Sequence, residues 1–145
     1  MEGLPFASRR FIRALQGNSM HNSEGSTVII VDDDPQVLRS LRFLLETEGF
    51  NVLAFGSAEE LLAHAELPVK ACFVVDYRMP LMNGLDLITR MRERRSKLFA
   101  ILITGYPDEE IDERAAKAGI RVIRKPHFDD GLLEGIREVL RQAAE

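Results

Sequence analysis

Between Thr27 and the C-terminus, short apolar runs alternate five times with longer stretches that carry apolar residues at three- and four-residue spacing. The runs are TVIIV (27–31), NVLAF (51–55), ACFVV (71–75), FAILIT (99–104) and IRVIR (120–124), each with the length and β-branched content of a strand. The stretches between them read as helices. Val37, Leu41, Leu44 and Leu45 form one apolar stripe closed by Gly49, and Ser57 with Glu60 forms a capping box that opens AEELLAHAEL. Leu85, Ile88 and Met91 mark a third helix, and Ile111, Ala115 and Ala118, stopped by Gly119, mark a fourth. Leu132, Leu133, Ile136, Val139 and Leu140 mark a fifth. Strands that alternate with helices pair in parallel, because a parallel neighbour needs a crossover long enough to be helical. The middle runs are apolar at every position rather than at every second one, so helices must cover both faces of the sheet. The chain is therefore expected to be an α/β, doubly wound, five-stranded parallel sheet.

The remaining sequence bounds what such a sheet can do. A formal net charge of −4 and a pI near 5.5 argue against a nucleic-acid footprint, which needs a basic face. The single cysteine, Cys72, lies inside an apolar run and reads as a buried thiol, leaving no internal disulfide and nothing against a reducing compartment. No apolar stretch approaches the length of a membrane span and no secretory signal is visible, so a cytoplasmic protein is expected. Residues 1–25 are polar and carry Arg9, Arg10 and Arg13, which reads as a flexible N-terminal arm ahead of one domain over 26–145. Only five residues follow Leu140, so no output domain is expected. RMRERRSK (90–97) and DEEIDER (108–114) read as solvated helix ends.

In an open parallel sheet, ligands bind beyond the carboxyl ends of the strands, and right-handed crossovers bring those ends to one edge. Asp32 and Asp33 follow the first strand, Asp76 the third, Thr104 closes the fourth, and Lys125 follows the fifth. A helix start explains Asp34 as N-cap before Pro35 but leaves Asp32 and Asp33 without a purpose. Clustered carboxylates suit Mg²⁺, with Mn²⁺ as a substitute, whereas His21, His64 and His127 have no spacing for zinc. The chain has neither a Gly-rich Walker loop nor a G-x-S-x-G elbow, so nucleotide hydrolysis and serine esterase chemistry lack their parts. A carboxylate beside Mg²⁺ can instead attack phosphorus and keep the phosphoryl group.

Over about residues 27–143, VDDDP, VVDYRMPLMNGLDL, ILITGY and RKP occur in the order and at nearly the spacing of a known family. On these motifs the chain resembles the receiver domain of two-component response regulators, the flavodoxin-like fold with strand order 2-1-3-4-5. The resemblance implies that Asp76 is the phospho-acceptor, that Asp33 binds Mg²⁺ directly and Asp32 through water, and that the Arg78 main-chain carbonyl is a further ligand. It implies that Thr104 hydrogen-bonds the phosphoryl group and that Lys125 pairs with it. Arg78 and Tyr106 would modulate attack by water. A histidine kinase or histidine phosphotransfer protein would donate the phosphoryl group, and the signal would pass to a downstream protein from a monomer or a phosphorylation-dependent dimer. Such a domain is not an enzyme in the usual sense; it assists its own phosphorylation and dephosphorylation.

Two departures stand out. Val122 occupies the position three before the lysine where the family carries Tyr or Phe, and the segment Gly119–Lys125 is one residue short. Both bear on switching rather than on phosphorylation, and Val122 favours a rival reading, a phosphorylation-independent binding module on the same fold. A second rival is a haloacid dehalogenase-like phosphatase, for which Asp32 and Asp34 have the spacing but Gln36 stands where Thr or Val is needed.

Overall fold

The computed structural model describes residues 25–144 apart from 65, 69, 96, 106–107 and 126–129, so the expected arm lies almost wholly outside the described residues. The elements run β1 (Thr27–Val31), α1 (Pro35–Thr47), β2 (Asn51–Phe55), α2 (Ala58–Ala63), β3 (Ala71–Asp76), α3 (Gly84–Arg94), β4 (Phe99–Thr104), α4 (Glu109–Lys117), β5 (Arg121–Arg124) and α5 (Asp130–Ala144). Every strand pairs in parallel, in the order β2-β1-β3-β4-β5. This is the expected doubly wound sheet with helices on both faces. Two boundaries differ from the sequence reading: Ile120 leaves β5 and turns into the core, and β3 extends to Asp76, whose ladder partner is Ile103.

Successive side chains of a strand point to opposite faces, so each apolar run fills two cores. Ile29, Val31, Phe73, Val75 and Leu102 pack with the buried residues of α2, α3 and α4. Val28, Ile30, Cys72, Val74, Ile101 and Ile103 pack with those of α1 and α5. Cys72 is buried, and burial pushes its thiol far above the ordinary range, which leaves it inert.

Local signals set the helix limits. Asp34 accepts from the Gln36 N–H and Pro35 occupies the first helical position of α1. Ser57 accepts from the Glu60 N–H, while the Glu60 carboxylate reaches back to the N–H of Gly56, one residue before the cap. The sequence reading of 90–97 as a solvated end is corrected at two positions. Arg92 donates to the carbonyls of Leu98 and Ala118, and Arg95 to those of Leu67 and Pro68. These guanidinium groups tie the C-terminal end of α3 to the residue that leads into β4, to the C-cap of α4 and to the loop before β3, a fork geometry that lysine cannot reproduce.

The loop between β3 and α3 holds the described structure's one non-glycine residue with positive φ, Leu81 at 72°, with 92% of its surface exposed. A left-handed leucine costs about 1–2 kcal/mol, and here no burial offsets it. Leu81→Gly is therefore expected to raise stability by about 1 kcal/mol in chemical denaturation, partly reduced by glycine's freedom in the unfolded chain. An unchanged or lowered midpoint would show that the loop is not strained there.

Candidate functional site

The ends of the strands are aligned by register. Val31 pairs with Val75 and with Phe55, Asp76 pairs with Ile103, and Thr104 pairs with Arg124. The residues that follow these ends form the floor of an open cleft of about 580 Å³ that contains Asp32, Asp33, Asp76, Arg78, Thr104 and Lys125. Tyr106 lies outside the described residues. Val122 is not in the cleft; it is half-buried against the core layer beneath α2, α3 and α4.

The three consecutive acids separate into three environments. The Asp32 N–H still donates to the Phe55 carbonyl at 3.2 Å, which keeps this residue in line with the sheet and leaves it only 2% exposed. One of its carboxylate oxygens, Oδ1, accepts from the Asp34 N–H at 2.9 Å, while the other, Oδ2, is buried without a hydrogen-bond partner among the described residues. Asp33 points to solvent at the rim, and Asp34 turns away to cap α1. The spacing Asp32–Asp34 on which the phosphatase reading depended is thus divided between a buried carboxylate and a helix cap.

Asp76 closes β3 and is 5% exposed. Behind it the chain doubles back: the Tyr77 N–H donates to the Ile103 carbonyl and the Gly84 N–H to the Tyr77 carbonyl, both at 2.8 Å. Gly84 is needed for close approach. A Cβ there would lie 2.5 Å from the Asp76 carbonyl oxygen and 2.8 Å from Leu102 Cδ1. Met79 is buried in the core and Met82 packs against it.

Lys125 reaches in from the end of β5. Its N–H donates to the Thr104 carbonyl at 2.9 Å, and its Nζ lies 3.2 Å from Asp76 Oδ1 and 4.0 Å from Asp32 Oδ2. One ammonium therefore faces two buried carboxylates, with a third nearby. Burial, followed by the negative charge of Asp32, pushes Asp76 up to about 6 in spite of Lys125. Burial also raises Asp32. The site holds more negative charge than its own cation neutralises, and Asp32, Asp33 and Asp76 each offer an oxygen within 4.8 Å of the others. Hard oxygen donors with an orphaned buried carboxylate oxygen fit a hard divalent cation such as Mg²⁺.

Sequence reasoning missed three features. Asp108, the N-cap of α4, lines the same cleft. Arg124 pairs with Asp112 of α4 at 2.7 Å, so the acidic run 108–114 is not only a solvated end. The close approach of Gly84 had a signal, a glycine directly after the N-cap Asn83, but its contact with Asp76 is visible only in three dimensions.

Comparison with known proteins points one way. Residues 28–137 match the family model described as response regulator receiver domain. Nodulation protein W of Bradyrhizobium diazoefficiens is 36% identical over 83% of this chain, which covers 54% of that protein. The receiver domain protein (CheY-like) of Methanospirillum hungatei JF-1 superposes with a TM-score of 0.75 at 31% identity, covering 83% of this chain and 98% of that one. The receiver domain of DrrB, solved in a BeF₃-activated form, superposes with a TM-score of 0.71 at 25% identity, covering 81% of this chain and 98% of that one. The chain spans about half the length of the curated relatives it matches.

Proposed function

This chain belongs to the response regulator receiver domain family, and from that premise we propose that Asp76 takes a phosphoryl group from the phosphohistidine of a histidine kinase or phosphotransfer protein. The observation that carries the reading is the buried Asp76 carboxylate, in contact with the Lys125 ammonium and flanked by Asp32 and Asp33. Asp33 would hold Mg²⁺ directly, Asp32 through water, and the Arg78 main-chain carbonyl would complete the protein's share of ligands. When bound, the cation offsets the charge that the phosphoryl oxygens bring beside the carboxylates.

The chain's own residues account for the rest. One Asp76 carboxylate oxygen forms a bond to phosphorus as the phosphorus–nitrogen bond of the donor breaks; the imidazole leaves with the electron pair, and an acyl phosphate remains. Lys125 Nζ, already 3.2 Å from Asp76 Oδ1, stays paired with the oxygens that arrive. Thr104, at the end of the neighbouring strand, presents a hydroxyl to the same oxygens. Arg78 borders the approach of the water that later hydrolyses the acyl phosphate. That the similar DrrB receiver domain was solved in a BeF₃-activated form supports a phosphoryl-type activation. The signal then passes by protein–protein contact to a partner in the cytoplasm.

The reading is tested by incubating the protein with acetyl phosphate and Mg²⁺, reducing the acyl phosphate with borohydride and locating the reduced residue by peptide mass spectrometry. Reduction at position 76, abolished by a chelator, is expected. Reduction at another carboxylate, or none, overturns the assignment.

A further inference from the structure

With no ring at position 122, the described structure offers a different link between the acceptor cleft and α4. Thr104 and Arg124 are ladder partners at the ends of β4 and β5, and the Lys125 N–H holds the Thr104 carbonyl at 2.9 Å. Strand alternation places Thr104, Val122 and Arg124 on the face that α4 covers. From there the Arg124 guanidinium reaches Asp112, in the first turn of α4, with Nη2 2.7 Å from Oδ2. Its Nε is buried and finds no hydrogen-bond partner among the described residues, so this arrangement leaves one donor unmet. The other end of α4 is held separately: Arg92 of α3 donates to the carbonyl of its C-cap, Ala118, and Arg114 lies 3.5 Å from Asp86 of α3.

We propose that the Arg124–Asp112 pair is a latch that holds the N-terminal half of α4 against β5 while the acceptor cleft is free, and that occupation of Asp76 releases it. The proposal rests on the receiver reading above. New oxygens on Asp76 draw the Lys125 ammonium and the Thr104 hydroxyl outward, and the Thr104–Lys125 backbone bond makes the ends of β4 and β5 move together. Arg124 lies between those two residues and moves with them, while Asp112 belongs to a helix pinned elsewhere. The pair opens, and α4 pivots on its anchored C-terminal end. A ligand can shift such an equilibrium only by the free energy that differs between the two states, and a half-exposed ion pair is a modest one.

Linkage turns this into a measurement. If closing the latch opposes occupation, breaking the pair must tighten binding at Asp76. The probe is beryllofluoride with Mg²⁺, titrated into the full chain and followed by fluorine NMR. Asp112→Asn and Arg124→Gln are each expected to tighten binding about threefold to fivefold, and the double variant no more than either alone. Val122→Ala is expected to bind as the wild type does. The charge-reversed pair, Arg124→Asp with Asp112→Arg, is expected to restore wild-type affinity and serves if a single variant does not fold. Hydrogen exchange adds a second readout: beryllofluoride accelerates exchange at the start of α4 but not at its anchored end, and Asp112→Asn is already fast there. Unchanged or weakened binding in the single variants overturns the latch, as do effects that multiply in the double variant. If the wild type binds beryllofluoride and the pair variants respond as it does, only the latch falls. If the wild type binds none, the phospho-acceptor reading falls and the latch with it.

Discussion

Metal-free protein carrying Asp76→Asn is expected to be about 2 kcal/mol more stable than the wild type near neutral pH, an advantage that vanishes in acid. The cause is the burial of a carboxylate that shares one ammonium with Asp32. Burial raises Asp76 from 3.8 to about 6, so the folded state binds its proton more readily than the unfolded state does. A raised carboxyl contributes its full stability below the unfolded value and loses it as pH rises through the folded one. The wild type therefore carries the whole penalty of the ionised group above about pH 6 and none below about pH 4, while asparagine carries none at either. Urea denaturation of both proteins in chelator across this range measures the difference directly. Mg²⁺ should narrow the gap at neutral pH, because binding to the native wild type stabilises it in proportion to the logarithm of cation concentration. A gap that is independent of pH, or a variant less stable than the wild type at neutral pH, would mean that Asp76 is not held as a strained acid.

Gly84→Ala should cost about 2–3 kcal/mol, because the added methyl has no room to enter. The nearest atom to it is the carbonyl oxygen of Asp76, at 2.5 Å, which belongs to a central strand and cannot rotate away as a side chain end would. Relief requires α3 to lift from β3 or the end of β3 to shift, and either movement displaces the Asp76 carboxylate from Lys125. Labelling by acetyl phosphate is accordingly expected to slow at least about fivefold, since misplacement of a reacting group by a fraction of an ångström is costly. Gly131→Ala provides the comparison, for its Cβ would meet nothing within 4 Å among the described residues and alanine is the better helix former in α5. Its stability should hold or rise. Equal behaviour of the two variants would remove the close-approach explanation.

Much of this molecule was legible before any coordinates. The five apolar runs appear as the five strands within a residue at each boundary, because a buried parallel strand requires apolar side chains on both faces and little else in a soluble chain does. Asp34 with Pro35, and Ser57 with Glu60, announced their helices through hydrogen bonds that span two or three residues, well within what a sequence window records. The convergence of Asp32, Asp33, Asp76, Thr104 and Lys125 followed from strand ends and crossover handedness alone.

Tertiary structure decided the matters that depend on distances between segments remote in sequence. That Asp32 is buried and Asp33 exposed, although adjacent and alike, depends on whether the sheet's last hydrogen bond, from Asp32 to Phe55, is made. That Asp76 is a raised acid depends on its burial and on the charge of Asp32, remote from it in the chain, which together outweigh the lowering by Lys125. Arg92 and Arg95 read as solvent-facing from their own neighbours, yet the carbonyls they hold belong to other elements. The left-handed Leu81 had no signal in the sequence, and the glycine at position 84 did not say which atom it approaches. Periodicity and capping are local, so a sequence expresses them directly. Burial, electrostatic coupling and steric fit arise only when the packed sheet and helices fix which distant groups become neighbours.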